Sequence, residues 1–252
     1  MIPTLQVEEA PEARAKAALL NFLRARGRLR GNTAIISELA VGKWTRRADL
    51  ALCNGRLAAF EIKTREDRLT RLDDQLASYS ESCDEVSVVA ASRHMNAVMS
   101  RVRDHIGIYE YHAIGGRPKV IEHRAPSRSP YQTKSALTDL LPAVELRRLM
   151  SACGMGASGM TRENLIRALE EVGPAVLSEW VRQFLKNRYW ASSQRFLDLT
   201  RGRDVGPEDI RALHIWAERR FANVEVAQEQ SNIVRALLGV DADQSVQLSS
   251  FS

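Results

Sequence analysis

Apolar residues recur at helical spacing across residues 9–26, EAPEARAKAALLNFLRAR, where Ala18, Leu19, Phe22 and Leu23 make one stripe. Gly27 and the Gly31-Asn32 pair punctuate its end. A short apolar piece, TAIISELAVG, then leads into KWTRRADLALCNGRLAAFEIK. Here the pattern changes to two short strands, Ala48–Cys53 and Arg56–Lys63, around Asn54-Gly55, a strong hairpin signal. Helical spacing returns in REDRLTRLDDQLASYSES, with Leu69, Leu72, Leu76 and Tyr79 on one face. Asp84–Ala91 is a Val-rich run suited to a buried strand, HMNAVMSRVRDHI a weaker helix, and GIYEYHA and GRPKVIEHR closing strands. Helices alternating with strands in this order predict an α/β layer structure.

The stretch APSRSPYQTKS, with Pro126 and Pro130, signals a boundary. Everything after it reads as helical: Ala136–Cys153, Thr161–Val172 opened by the cap sequence TREN, Ala175–Arg188 and Asp209–Ala227. Trp180, Trp190 and Trp216 lie in this half and are expected in its core. The closing DADQSVQLSSFS is polar and expected to fray. The expected organisation is an α/β domain over 1–125, a linker over 126–135, an all-α region over 136–240 and a disordered tail over 241–252.

With 44% hydrophobic and 27% charged residues, the composition is that of an ordinary soluble globular protein. No apolar run approaches the roughly 18 residues a membrane span needs. The N-terminus is acidic and then helical, unlike a secretory signal, so a cytoplasmic location is expected. Cys53, Cys83 and Cys153 are an odd, scattered set that predicts neither a disulfide framework nor a zinc site. The net charge of +5 suits a polyanionic partner without requiring one. Arg24, Arg26, Arg28 and Arg30 are crowded together, and Arg65, Arg68 and Arg71 follow the EIK segment. Taken alone, such runs read as solvated surface.

The chemistry concentrates in RADLALCNGRLAAFEIKTREDRLTRLDDQLASY. Strand alternation puts Ala59, Glu61 and Lys63 on one side and Ala58, Phe60 and Ile62 on the other. A carboxylate and an amine presented together by an apolar strand need partners or a metal. Asp49, in ADLAL, is the one charge between Arg47 and Arg56. Two carboxylates from adjacent strands can hold a hard divalent cation such as Mg²⁺, which polarises a phosphodiester. Lys63 could then orient or help deprotonate the attacking water, or stabilise the transition state. A strict two-residue Asn54-Gly55 turn would set Asp49 opposite Phe60 and turn it away from Glu61. A shared metal therefore requires a three-residue loop or a Gly55 bulge, and such an irregularity is expected.

Asp49, the Glu61-Ile62-Lys63 triplet, and Gln75 with Tyr79 on the next helix together resemble the PD-(D/E)XK (restriction-endonuclease-like) nuclease superfamily. Gln75-Leu76-Ala77-Ser78-Tyr79 is similar to the Q-x-x-x-Y motif of its RecB-like members, and the run from about Glu9 to Arg195 resembles bacterial members of the superfamily. Ala48 stands where the motif has proline. The resemblance implies a restriction-endonuclease-like core, a mixed sheet flanked by helices, followed by an all-α C-terminal region. It implies a nuclease dependent on Mg²⁺, with Mn²⁺ substituting, acting on DNA sooner than RNA, in repair, restriction or phage defence. Asp49, Glu61 and Glu38 would be metal ligands, with Glu12 the alternative to Glu38. Lys63 would serve the water and Gln75 would position, with Tyr79 beneath the site. Arg24, Arg26, Arg28, Arg30, Arg68, Arg71 and Tyr79 would contact nucleic acid. The helical half would supply further contacts, a partner surface or a homodimer interface. The competing expectation is a catalytically silent nuclease-fold module that binds nucleic acid or a protein. An E-x-K triplet alone is common by chance, and it is the order of motifs on successive elements that raises the reading. There is no GxxxxGK[ST] loop, HExxH pair or GxSxG elbow. His94, after the Val-rich strand, is a candidate for a substrate contact.

Overall fold

The computed structural model describes residues 11–43, 45–114, 117–213 and 236–237. Six strands form one mixed sheet in chain order: β1 (Ala34–Val41), β2 (Arg46–Cys53), β3 (Leu57–Lys63), β4 (Glu85–Ala91), β5 (Gly107–Ile114) and β6 (Arg117–Arg124). β1, β2 and β3 pair antiparallel, β3–β4 and β4–β5 pair parallel, and β5–β6 return to antiparallel. Parallel neighbours need crossovers. These are α2 (Leu72–Ser82) and a 3-10 turn running into α3 (Met95–Arg101). Every residue of β3 and β4 is buried, as strands covered on both faces must be.

The helix expected over 9–26 is α1 (Pro11–Ala25), which packs Leu19, Leu20 and Leu23 against Ile35, Leu50 and Phe60 on one face of the sheet. On the other face α2 sets Leu72, Leu76 and Tyr79 against Ala51, Leu57 and Ala59. The helix expected over Ala136–Cys153 is two, α4 (Lys134–Asp139) and α5 (Ala143–Ala152). Pro142 lacks an amide hydrogen and drives the preceding residue out of helical conformation, so the chain breaks there and restarts with Pro142 as the cap of α5. Thr161 caps α6 (Arg162–Ala168), its hydroxyl accepting from the Asn164 amide at 3.3 Å. α7 (Pro174–Leu199) runs past Arg188 because neither glycine nor proline intervenes before Gly202. Of the helix expected over Asp209–Ala227, the described part is a 3-10 turn, Pro207–Leu213. Its remainder and the 241–252 tail lie outside the described residues. Trp180 is buried, Trp190 is exposed on α7, and Trp216 lies outside the described residues.

The stretch 126–135, expected as a linker, is fastened to the sheet domain. The Ser127, Ser129 and Thr133 amides donate to the carbonyls of His105, Asp84 and Glu81, and the Ser129 hydroxyl donates to the Ser80 carbonyl at 2.6 Å. The helices beyond it share the sheet's own core. α7 begins on the α2 side with Leu177, Trp180 and Leu185 and ends with Phe196 among the α1-side residues. On the way it passes the open edge of β1, where Ser193 Oγ accepts from the Ile35 amide at 2.8 Å. That satisfies a backbone group an edge strand would leave unpaired. Cys53 and Cys83 are buried and Cys153 half-buried, all free thiols, with burial pushing Cys53 up to about 12. Among the described residues no helix is long and apolar enough to cross a membrane.

Because Phe196 joins α7 to the α1 side of the sheet, Phe196→Ala should cost about 3–5 kcal/mol. Urea unfolding should remain a single transition, displaced equally for tryptophan fluorescence and for hydrogen exchange in β2. A displaced fluorescence transition with unchanged β2 protection would mean that the helical part unfolds independently.

Candidate metal centre

β2 and β3 are joined by a three-residue loop, Asn54-Gly55-Arg56, with Cys53 paired to Leu57 and Leu50 paired to Phe60. Gly55 takes φ 129°, a region open to glycine and strained for other residues. The Asn54 amide closes the loop on the Arg56 carbonyl at 3.2 Å. The third loop residue sets Asp49 opposite Glu61, so the irregularity that a shared face requires is present.

Glu38 stands at the same level. β1 pairs Ser37 with Leu50 and Leu39 with Ala48, which leaves Glu38 opposite Asp49. Three acids therefore line up across three neighbouring strands. At that level β1 and β2 both lose strict alternation: Ile36 and Leu39 face the α2 side, and so do Ala48 and Ala51. Glu38 takes the bend at φ 62°, a left-handed conformation costing an L-residue about 1–2 kcal/mol. The β2–β3 ladder ends here, its last pair being Leu50–Phe60, while β3 continues alongside β4 to Lys63. Past the ladder's end the Ile62 amide meets no β2 carbonyl and donates instead to Asp49 Oδ2 at 2.6 Å.

Glu61 is almost wholly buried, 1% exposed. Its Oε1 receives the Lys63 ammonium at 2.6 Å, and its Oε2 lies 2.8 Å from the Tyr79 hydroxyl. That hydroxyl is also 2.6 Å from the Arg47 carbonyl oxygen. Lys63 donates to Gln75 Oε1 at 3.1 Å. Gln75 and Tyr79, one turn apart on α2, thus brace the β3 pair from below. Tyr79 is fully buried, so the nucleic-acid contact expected of it is closed off; its role is to hold Glu61. Burial, then the neighbouring Glu61 charge, push the Asp49 carboxyl up to about 8. Burial also raises Glu61 above the usual carboxylate range, against the pull of Lys63, Tyr79 and Gln75.

Asp49 has a second set of acidic neighbours. Oxygens of Glu12, Glu38 and Asp49 all lie within 4.8 Å of one another, so both candidates for the accessory acid reach it. Glu61 is not one of that trio. Between Glu12 and Glu38 sits Lys16, which sequence reasoning overlooked. Its Nζ is 2.6 Å from Oε1 of each and 3.3 Å from Ser37 Oγ. The signal was present: Lys16 lies one turn before Leu19 and Leu20 on the buried stripe that runs on to Leu23, and one turn after Glu12.

The arginine run is elsewhere. Glu12 and Arg24 occupy opposite ends of α1, about 18 Å apart at the helical rise per residue. Arg24 donates to the Thr200 and Arg203 carbonyls and the Thr200 hydroxyl, and Arg28 pairs with Glu85 at 3.1 Å. These two fasten the fold through partners of their own. Arg26 lies over the Phe22 ring, 5.0 Å from its centroid, and Arg30 is exposed at the same distant end. Arg68 and Arg71 are exposed in the segment between Lys63 and α2, beside the site. His94 is buried with Nε2 3.0 Å from the Thr64 carbonyl, so it pins the segment after Lys63 and is closed to substrate.

Carboxylate oxygens are the donors a hard divalent cation takes; those of Glu12, Glu38 and Asp49 lie within 4.8 Å of one another, and Asp49 stands next to Glu61 on the neighbouring strand.

The chain belongs to the family described as Bacteriophage P4 protein cII, which matches residues 5–214. It is 35% identical to protein cII of Enterobacteria phage P4 over 214 residues, 83% of this chain and 79% of that protein. No solved structure matches it.

The raised acids set the sign of the pH dependence. A carboxyl with its folded pKa above its unfolded one contributes stability at low pH and loses it as pH rises through the folded value. In EDTA the melting temperature should therefore fall between pH 6.5 and pH 8 by about 2–4 °C, and Asp49→Asn should flatten that slope. An unchanged slope in Asp49→Asn would place the titrating group elsewhere.

Proposed function

We propose that the protein is a divalent-metal-dependent nuclease of the PD-(D/E)XK, restriction-endonuclease-like type that hydrolyses phosphodiester bonds of DNA. The observation that carries this reading is the meeting of Asp49, Glu61, Lys63 and Gln75 where the β2–β3 ladder ends. On this reading the six-stranded mixed sheet and its flanking helices are a restriction-endonuclease-like core.

Asp49 and Glu61 would hold Mg²⁺, with Mn²⁺ substituting and Glu38 beside them. Bound there, the ion supplies Lewis-acid polarisation of the scissile phosphate and offsets its charge. The chain's own groups do the rest. Lys63, aimed by Glu61 Oε1 and Gln75 Oε1, orients the attacking water or meets charge developing on the phosphoryl oxygens. Tyr79 fixes the Glu61 rotamer. Asp49 keeps its place through the Ile62 amide. Arg68 and Arg71, exposed in the segment between Lys63 and α2, would meet phosphates, which would make binding fall steeply with salt. The exposed Trp190 and Leu199 of α7 offer a surface for a partner or a second copy.

A second reading draws on one observation: both Glu61 oxygens already have partners in Lys63 and Tyr79. That would suit a silent module of the same fold that binds nucleic acid or a protein. A plasmid-nicking assay separates the two. With Mg²⁺ or Mn²⁺ the wild type should nick supercoiled DNA, EDTA should stop it, and Glu61→Ala and Lys63→Ala should each slow it by about a hundredfold or more. Nicking untouched by both substitutions would reject the assignment, and binding without cutting would favour the silent module.

A further inference from the structure

Lys16 is the group that the proposed chemistry leaves unused. It projects from α1 into the sheet level that carries the acids, with its side chain 4% exposed. An ammonium has three hydrogens to donate, and Lys16 finds three acceptors: Glu12 Oε1 and Glu38 Oε1 at 2.6 Å each, and Ser37 Oγ at 3.3 Å. Burial would lower its pKa, but the Glu12 and Glu38 carboxylates outweigh burial and hold it above the ordinary lysine value. Two carboxylate oxygens at 2.6 Å are partners for an ammonium, which is the form that three acceptors around Nζ suit. Glu38 reaches it from a left-handed backbone conformation, a local cost retained where the surroundings require it.

The charges divide in two. Glu61 has its own ammonium in Lys63, and Glu12 and Glu38 share Lys16. With every acid ionised, the carboxylates of Glu12, Glu38, Asp49 and Glu61 stand against two ammoniums, which leaves two negative charges unbalanced. One divalent cation closes that balance while Lys16 holds the place between Glu12 and Glu38.

We propose that the Lys16 ammonium is a built-in cation that occupies the Glu12–Glu38 side of the acidic cluster and limits the site to a single divalent ion on the Asp49–Glu61 side. The inference rests on the metal-site reading above and specifies its stoichiometry. It makes Glu12 and Lys16 positioning residues whose charges matter as a pair.

Counting bound Mn²⁺ by calorimetry and by electron paramagnetic resonance tests this without any turnover. The wild type should bind one Mn²⁺ per chain. Lys16→Met, which keeps the length and removes the charge, should bind two. The double variant Lys16→Met/Glu12→Gln removes one charge of each sign and should return to one. Glu12→Gln alone changes a half-exposed side chain, so it remains informative if Lys16→Met fails to fold. It should still bind one ion, about tenfold more weakly. Two ions in the wild type, or a Glu12→Gln protein that binds as tightly as the wild type, would overturn the inference and leave the metal site standing. So would a folded Lys16→Met protein that still binds one. No Mn²⁺ bound by the wild type would remove the metal-site reading and this inference together.

Discussion

The site depends on one hydrogen bond, from the Ile62 amide to Asp49 Oδ2 at 2.6 Å. Strand β3 has to satisfy its backbone on both sides, and β2 stops pairing with it after Leu50–Phe60. A side-chain carboxylate takes over the acceptor position that a β2 carbonyl would have filled, so the polar group is paired and Asp49 is fixed beside Glu61. The bend in β1 at Glu38 and the loss of alternation in β2 are the same event seen on the other side. At that level β2 and β3 cease to pair, and the acids of three neighbouring strands stand side by side.

Keeping several carboxylates in so little solvent requires charge compensation. Burial raises both Asp49 and Glu61 above the usual range, and the Glu61 charge adds to the rise at Asp49. Each half of the cluster is steadied by a lysine from a different element: Lys63 from β3 next to Glu61, and Lys16 from α1 between Glu12 and Glu38. Helices on both faces of the sheet therefore meet at one level. α2 contributes Gln75 and Tyr79 from one side, while α1 contributes Glu12 and Lys16 from the other. The same helices bury the core through Leu72 and Leu76 and through Leu19 and Leu20, so packing and site geometry are set by the same elements.

Much of this was legible from the chain. The order of strands and helices through β6 follows from periodicity, and so does the requirement for either a three-residue loop or a Gly55 bulge, because side-chain parity in a hairpin is a matter of counting. Gln75 and Tyr79 were legible as a pair on α2, although Tyr79 was assigned an outward contact that its complete burial rules out. Lys16 was passed over because a lysine among alanines reads as solvent-facing until the strand beneath it is known to carry Glu38. Arg24 and Arg28 illustrate the converse. A crowded run of arginines looks like a phosphate-binding surface, yet their partners, Thr200, Arg203 and Glu85, come from residues remote in sequence. The break at Pro142 was readable, and so was the continuation of α7 past Arg188, where neither glycine nor proline intervenes before Gly202; what no local pattern reveals is that Ser193 and Phe196 of that extension pack on the sheet.

The most direct test is a crystal soaked with Mn²⁺ and measured at the manganese edge. The account predicts one anomalous peak per chain about 2.1 Å from oxygens of both Asp49 and Glu61, with the Lys16 ammonium still seated between Glu12 and Glu38. An empty Asp49–Glu61 level in a crystal that takes up manganese elsewhere would contradict it.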